Sequence, residues 1–288
     1  MLSKKEEDLM NILPKDGPSP EETKKYLEKY SEDFIVIKMG GSVLSDKKLF
    51  NTLIEDIAVL NKLGLSIFLI HGGGAKISSK LNELKIKSNF INGLRITDEK
   101  TINSVESVLI EFNKEIVKSL ENQSCKAKQI SSKENNVITV EPISSALGFV
   151  GKPSNIKIER LINLVKSNEV PVIASLGLDD NGQTFNINAD TVAGSIAKEL
   201  NARRLLILSD VEGVLDKKKK LISEINSKKA KEMISKGIIS GGMIPKINNC
   251  LDVAINGVKA VCIIDGRKKH SILFELLSDE GSGTLIRE

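Results

Sequence analysis

Two lysines occupy positions where an ammonium group is costly unless it works on an anion. Lys38 ends the apolar run FIVIK (34–38) and is followed at once by Gly40 and Gly41. A charge at the end of a buried strand needs a partner of opposite sign. Lys246 follows Gly241, Gly242 and Pro245 at the start of a predicted helix, where it opposes the macrodipole by under about 1 kcal/mol. A second glycine loop, His71-Gly72-Gly73-Gly74, closes the next apolar run. Glycines at such turns let backbone N–H groups approach an anion, and a following helix N-terminus adds favourable potential. One such turn is equally well a simple tight connection; two on successive strands favour an anion site.

Further candidates stand at other predicted strand ends. Arg95 lies in NGLRITD (92–98), and an arginine on a loop suits bidentate carboxylate recognition, although an isolated surface arginine is usually just solvated. In FNINADTVAG (185–194), Asn186 and Asn188 alternate on a short strand before Asp190 enters a helix rich in small residues. An Asx cap explains that backbone but not two amides on one side. Ser209 and Asp210 end the run LILSD (206–210). The chain has two histidines, His71 and His270, so a Ser-His-Asp triad or a histidine-rich metal site is hard to build. His71, placed after a buried strand, reads as structural. Chemistry here must rest on anion stabilisation rather than on a histidine base.

These residues need a scaffold that gathers strand ends. Apolar runs ending in glycine alternate with amphipathic stretches along the chain, the pattern of a parallel sheet covered on both faces. Helices are expected at 47–62, 75–84, 99–120, 157–168, 189–202, 227–237, 245–256 and 270–279, and strands at 34–38, 65–74 (ending in its three glycines), 135–142, 170–178, 203–214 (with a glycine-containing turn) and 259–266. Ahead of the first strand, Ser19, Pro20, Glu21 and Glu22 open a strong predicted helix. We read an α/β protein, an open αβα sandwich around a mainly parallel sheet with an extra N-terminal helix. The expected division is 1–33 as leader and interaction helix, 34–180 as one lobe and 181–288 as the other. Ligands in such sheets bind at the carboxyl ends of the strands.

Bulk properties exclude several classes. The 42 basic and 38 acidic side chains leave a net charge of +4, too mild for a nucleic-acid surface, and 3% aromatic content with no Trp offers few stacking platforms. Cys125, Cys250 and Cys262 have no CxxC spacing and read as reduced core residues. No run approaches a membrane span, and the N-terminus lacks the features of a signal or transit peptide, so a cytoplasmic protein is expected. The Walker and GxGxxG fingerprints are absent, which disfavours a P-loop enzyme or a dehydrogenase.

Taken in order, IKMGGS, HGGG, NGLRITD, LGFVG (147–151), GQTFNINADTVA, LSDVEGV and GGMIPK resemble the amino-acid kinase family from about Tyr26 to the C-terminus. GLRITD and NINAD point to its acetylglutamate branch. The resemblance implies an N-terminal lobe for the acyl amino acid, a C-terminal lobe for ATP with Mg²⁺, and phosphoryl transfer to the side-chain carboxylate of N-acetyl-L-glutamate. It implies Lys38 and Lys246 as catalytic cations and Asp190 as the carboxylate orienting both. Gly40 and Gly41 would bind phosphate, and Gly73, Gly74, Arg95 and Asn186 the acyl amino acid. Ser209 and Asp210 would lie at the nucleotide. No protein-held metal is implied. Members inhibited by L-arginine carry an N-terminal helix that joins dimers into a hexamer, and the resemblance places the effector at Tyr26, Lys220, His270, Glu275 and Gly283. A kinase for a different acceptor, or a non-catalytic arginine or nucleotide sensor on the same fold, are the alternatives.

Overall fold

The computed structural model describes Leu9 and residues 11–288. The helix α1 (Pro20–Tyr30) begins as the sequence dictates: Ser19 Oγ accepts the Glu22 N–H at 3.2 Å, and Pro20 takes the first turn. Then follow β1 (Phe34–Met39), α2 (Lys47–Lys62), β2 (Ser66–His71), α3 (Gly74–Glu83), the hairpin β3 (Phe90–Ile91) and β4 (Leu94–Arg95), and the long α4 (Glu99–Asn122). The middle of the chain holds β5 (Ala127–Ile130), α5 (Ser132–Asn135), β6 (Ile138–Pro142), β7 (Val150–Ile156), α6 (Ile158–Lys166), β8 (Val170–Ala174), β9 (Leu176–Leu178) and β10 (Thr184–Ile187). The last third is α7 (Ala189–Glu199), β11 (Arg204–Ser209), β12 (Glu224–Ile225), α8 (Ser227–Ser235), α9 (Met243–Ile255), β13 (Val261–Asp265), α10 (Ser271–Leu277) and β14 (Gly283–Ile286).

Eight strands form one sheet in the order β12-β14-β13-β11-β1-β2-β8-β5, parallel except where β14 meets β13. Both expected lobes feed this sheet, since β1 pairs with β2 on one side and with β11 on the other. Alternation along β1 sends Val36 into the core beneath α7 and α9, and Ile35 and Ile37 into the core beneath α2, α4 and α10. Each such fully buried aliphatic side chain contributes roughly 1.5–3 kcal/mol. The two faces thereby fix the register: a one-residue slip would exchange their side chains.

One expected strand is corrected. The single strand expected over 170–178 is broken at Ser175, β8 staying in the main sheet while β9 joins β6, β7 and β10 in a small closed barrel. The barrel needs Gly177, because a Cβ there would meet Val140 Cγ1 at 2.5 Å and the Ile138 carbonyl oxygen at 2.9 Å. The segment 203–214, expected as a strand with a glycine-containing turn, is that: the strand ends at Ser209 and the turn with Gly213 follows. Strands β3, β4, β5, β7, β12 and β14 were not expected; β7 reads VGKPSNI, a composition with little intrinsic strand preference.

Candidate active site

The parallel order β11-β1-β2-β8 sets four strand ends side by side, and those of β11, β1 and β2 carry residues singled out above. Lys38 is in register with Ile207 of β11 and Ile70 of β2, so Ser209, Gly40 and His71 fall along one edge. A cavity of about 610 Å³ opens there, lined by Lys38, both glycine turns, Arg95, Asn186, Asp190 and Asp210 among others. Nine of the expected site residues, namely Lys38, Gly40, Gly41, Gly73, Gly74, Arg95, Asn186, Asp190 and Asp210, share its wall.

At one end lies a charge cluster. Lys38 Nζ pairs with Asp190 Oδ1 at 2.8 Å, the two side chains being 12% and 23% exposed. Asp190 is the second residue of α7, and Asn188 caps that helix by accepting the N–H groups of Asp190 and Thr191 at 2.9 and 3.1 Å. Asn188 is thus a cap first, although it also borders the cavity. Lys246, in the first turn of α9, donates to Ser209 Oγ at 3.0 Å. Helices α7 and α9 come close because Gly194 has no side chain: a Cβ would meet Val253 Cγ2 at 2.8 Å. Burial raises the Asp190 pKa, but the Lys38 charge and hydrogen bond and the Lys246 charge prevail and hold its carboxyl below the usual range. Burial lowers the Lys246 pKa, with the nearby Lys38 charge adding to that and Asp190 opposing it. Both lysines thus act on Asp190, and the Asp210 charge also supports the Lys246 cation.

The glycine turns serve this cluster differently. A Cβ on Gly40 would collide with Lys38 Nζ, so the missing side chain is the space into which the ammonium folds. Gly41 has φ +69°, and a Cβ there would collide with Asp210 Oδ1. Gly73 is packed against Leu109 Cδ2, which a Cβ would meet at 2.7 Å. Gly74 is unlike the rest: a Cβ there meets nothing within 4 Å. It is the first residue of α3, a helix whose N-terminus has no side-chain cap, so unpaired backbone N–H groups and the positive end of the dipole border the cavity.

Arg95 forms the other end. Its guanidinium is in a residue only 7% exposed, donates from Nη1 to Ser88 Oγ and from Nη2 to the Gly74 carbonyl at 3.1 Å and Ser78 Oγ at 2.8 Å, and lies 4.7 Å from the Phe90 ring centroid. All three acceptors are neutral, and among the described residues Arg95 enters no ion pair. Burial pulls its pKa down. A guanidinium held in a cavity wall by neutral groups is suited to an incoming carboxylate. Asn186 Nδ2 donates to Thr97 Oγ1 at 3.3 Å, which fixes the amide beside that cation.

Ser78, Ser88, Lys76 and Ser175 were missed by sequence reasoning. Ser78 lies one helical turn beyond Gly74 and could have been found by that spacing; Ser88 sits before a hairpin and carries no signal. Lys76 pairs with Glu115 at 3.0 Å.

The remaining expected residues lie elsewhere. Tyr26 Oη donates to Asp279 Oδ1 at 2.8 Å, and Glu275 Oε2 accepts the Ser282 N–H at 2.7 Å. His270 is buried with Nδ1 at 2.5 Å from Asp56 Oδ1 and Nε2 at 3.2 Å from Asp16 Oδ1. Gly283 pairs with Ile264 in the sheet, and Lys220 is exposed on the turn after Asp216. Among the described residues no cluster of His, Cys, Asp or Glu could hold a metal ion, and no helix is long and apolar enough to cross a membrane. The three cysteines are free and buried.

At the carboxyl edge of this mainly parallel sheet, strand ends and helix starts bring together Lys38, Lys246, Asp190, Asp210 and two glycine turns. Residues 33–265 match the Amino acid kinase family, and the chain belongs to that family. Its relatives within the family are acetylglutamate kinases: it is 69% identical over 288 residues to that of Pelagibacter ubique (strain HTCC1062), covering 100% of each chain. It is 43% identical over 268 residues to that of Clostridioides difficile (strain 630), covering 91% of this chain and 94% of the other. In structure it is similar to N-acetylglutamate synthase from Neisseria gonorrhoeae complexed with coenzyme A and N-acetyl-glutamate, with TM-score 0.84 at 23% identity. That match covers 93% of this chain and 62% of the longer one, and bears on the fold alone.

Proposed function

We propose that this chain transfers the γ-phosphoryl group of ATP, carried with Mg²⁺, to the side-chain carboxylate of N-acetyl-L-glutamate in cytoplasmic arginine biosynthesis. A carboxylate oxygen forms the new bond to phosphorus, the bond from phosphorus to the β–γ bridging oxygen breaks, and ADP leaves. No proton moves, because a carboxyl group of reference pKa about 4.3 is already ionised at neutral pH. The barrier is the approach of one anion to another. Positioning and charge neutralisation answer it. The observation that carries the reading is the pairing, in one cavity, of the Lys38–Asp190 contact with the Arg95 guanidinium, which no carboxylate of the described residues pairs with.

In this reading Lys38 meets the transferring phosphoryl group from the acceptor side, and Lys246 neutralises charge growing on the leaving bridge. Asp190 keeps the two ammonium groups apart and aimed. Gly40 and Gly41 present N–H groups to phosphoryl oxygens. Arg95 takes the α-carboxylate, with Gly73, Gly74 and Asn186 completing the acyl amino acid site. Ser209 and Asp210 border the nucleotide. Mg²⁺ would be held mainly by the nucleotide's phosphates and water. A hydroxylamine trap tests the substrate: N-acetyl-L-glutamate with ATP yields a hydroxamate, and free glutamate or aspartate yields none. Equal or greater hydroxamate from a free amino acid overturns the assignment.

We also propose feedback inhibition by L-arginine, held by Tyr26, Lys220, His270, Glu275 and Gly283, in a homodimer or in a homohexamer joined through α1. Support comes from the way α1 is tied to the C-terminal segment, by Tyr26 Oη to Asp279 and by a 2.6 Å contact from Lys25 Nζ to the same carboxylate. Titrating activity with L-arginine while measuring particle size by light scattering tests it. Insensitivity together with a plain dimer refutes it.

A further inference from the structure

The proposed reaction uses the glycines of His71-Gly72-Gly73-Gly74 but gives no part to the histidine. His71 ends β2 and is 0% exposed. Its Nδ1 lies 3.1 Å from the Gly72 carbonyl oxygen, and its Nε2 lies 2.9 Å from Asn113 Nδ2 on α4. The same Asn113 nitrogen lies 2.8 Å from the Val172 carbonyl oxygen of β8. A carbonyl only accepts, so the Asn113 group facing Val172 is its NH₂, and the imidazole nitrogen it also reaches must be an acceptor. The ring proton therefore sits on Nδ1, where it donates to Gly72. Burial pushes the imidazole pKa down to about 4, so the ring is neutral at ordinary pH. Phe112 packs edge-on against the ring at 5.3 Å and fixes its plane.

The peptide that His71 grips is one that can turn over. Glycines flank it on both sides, and glycine tolerates either orientation at little steric cost. In a trans peptide the carbonyl and the N–H point in opposite directions. With the Gly72 oxygen held on the His71 side, the Gly73 N–H points away from His71, on a loop that lines the cavity. The flipped peptide would turn that donor away from the cavity and bring a carbonyl dipole with its negative end toward the anions reacting there.

We infer that His71 is a positioning residue: with Asn113 it latches the Gly72–Gly73 peptide so that the loop offers the reaction N–H groups and not a carbonyl. The role rests on the phosphoryl-transfer reading above, while the latch itself can be observed without substrate.

With two histidines in the whole chain, a long-range ¹H–¹⁵N correlation spectrum of the full-length, substrate-free protein resolves the His71 ring directly. It should show a neutral ring with its proton on Nδ1; a proton on Nε2, or an imidazolium at neutral pH, would overturn the latch. His71→Leu removes both hydrogen bonds, whereas His71→Asn keeps a donor near the position of Nδ1. His71→Leu should lower kcat roughly 10–100-fold, on the scale of a slightly misplaced reacting group, with the KM for ATP unchanged, and His71→Asn should recover most of that loss. Wild-type kcat in a folded His71→Leu protein would contradict the positioning role. If His71→Leu does not fold, the tautomer and the His71→Asn kinetics still decide. Should the wild type prefer another carboxylate acceptor, the same comparison is run with that acceptor, so the substrate reading and the latch fail separately.

Discussion

A carboxylate 2.8 Å from one ammonium and within electrostatic reach of a second cannot neutralise both. Lys38, Lys246 and Asp190 form a largely buried cluster, with the Asp210 carboxylate also acting on Lys246, and the two cations are the groups we propose for a polyphosphate. In the proposed reaction each lysine matters more to turnover than to folding. Lys38→Ala or Lys246→Ala should cut kcat by roughly 10²–10³, the scale of losing one preorganised charge-stabilising donor; steady-state kinetics giving near-normal turnover in either variant would remove that lysine from the chemistry. Arg95 is the opposite case, a cation held by neutral oxygens, which we propose for the α-carboxylate. Arg95→Ala should chiefly raise the KM for the acyl amino acid and leave the KM for ATP nearly as it was. An unchanged acyl amino acid KM would show that the guanidinium binds something else.

At the scale of elements, the two glycine turns make different demands. Gly41 sits at φ +69° against the Asp210 carboxylate, so Gly41→Ala strains the backbone and displaces an acid on the cavity wall. Gly74 has open space where its Cβ would be, so Gly74→Ala should keep the wild-type melting temperature yet lose affinity for the acyl amino acid. Melting curves beside KM values separate the two, and a fully active Gly74→Ala protein would mean that the uncapped start of α3 touches no substrate. The sequence shows these turns plainly, because apolar runs that stop at glycine are a local signal. It shows much less of what surrounds Arg95. Ser88, Phe90 and Gly74 meet there only through the β3–β4 hairpin, which is too short to carry a periodic pattern. It also hides β7, since VGKPSNI becomes a strand only by closing the small barrel with β6 and β10. His71 was read as structural; its position in the sequence could not show that Asn113, on α4, would settle its tautomer.

For the molecule as a whole, the sheet makes distant segments neighbours. Lys38 and Lys246 lie far apart in sequence and converge because β11 inserts beside β1 and α7 packs against α9. Only long-range pairing creates that order, which is why the site was legible as a set of motifs and not as a geometry. Stability should register the same burial. His71 has a folded pKa depressed to about 4 from an ordinary 6.5, so the unfolded chain takes up its proton first as pH falls. Its contribution is complete above pH 6.5 and is lost progressively toward pH 4, up to about 3 kcal/mol. Denaturant titrations at pH 7 and pH 5 should show a loss in the wild type that shrinks in His71→Asn; identical pH dependence in the two would contradict the buried neutral ring. The central claim, that a carboxylate in this cavity attacks the γ-phosphorus without a base, is met most directly by following oxygen. N-acetyl-L-glutamate carrying ¹⁸O in its side-chain carboxylate is incubated with the protein, MgATP and hydroxylamine, and the released phosphate is examined by ³¹P NMR. The account predicts one ¹⁸O in each phosphate, delivered by the attacking carboxylate and retained when hydroxylamine cleaves the acyl–oxygen bond. Phosphate without the label, formed at the rate of ADP release, would contradict it.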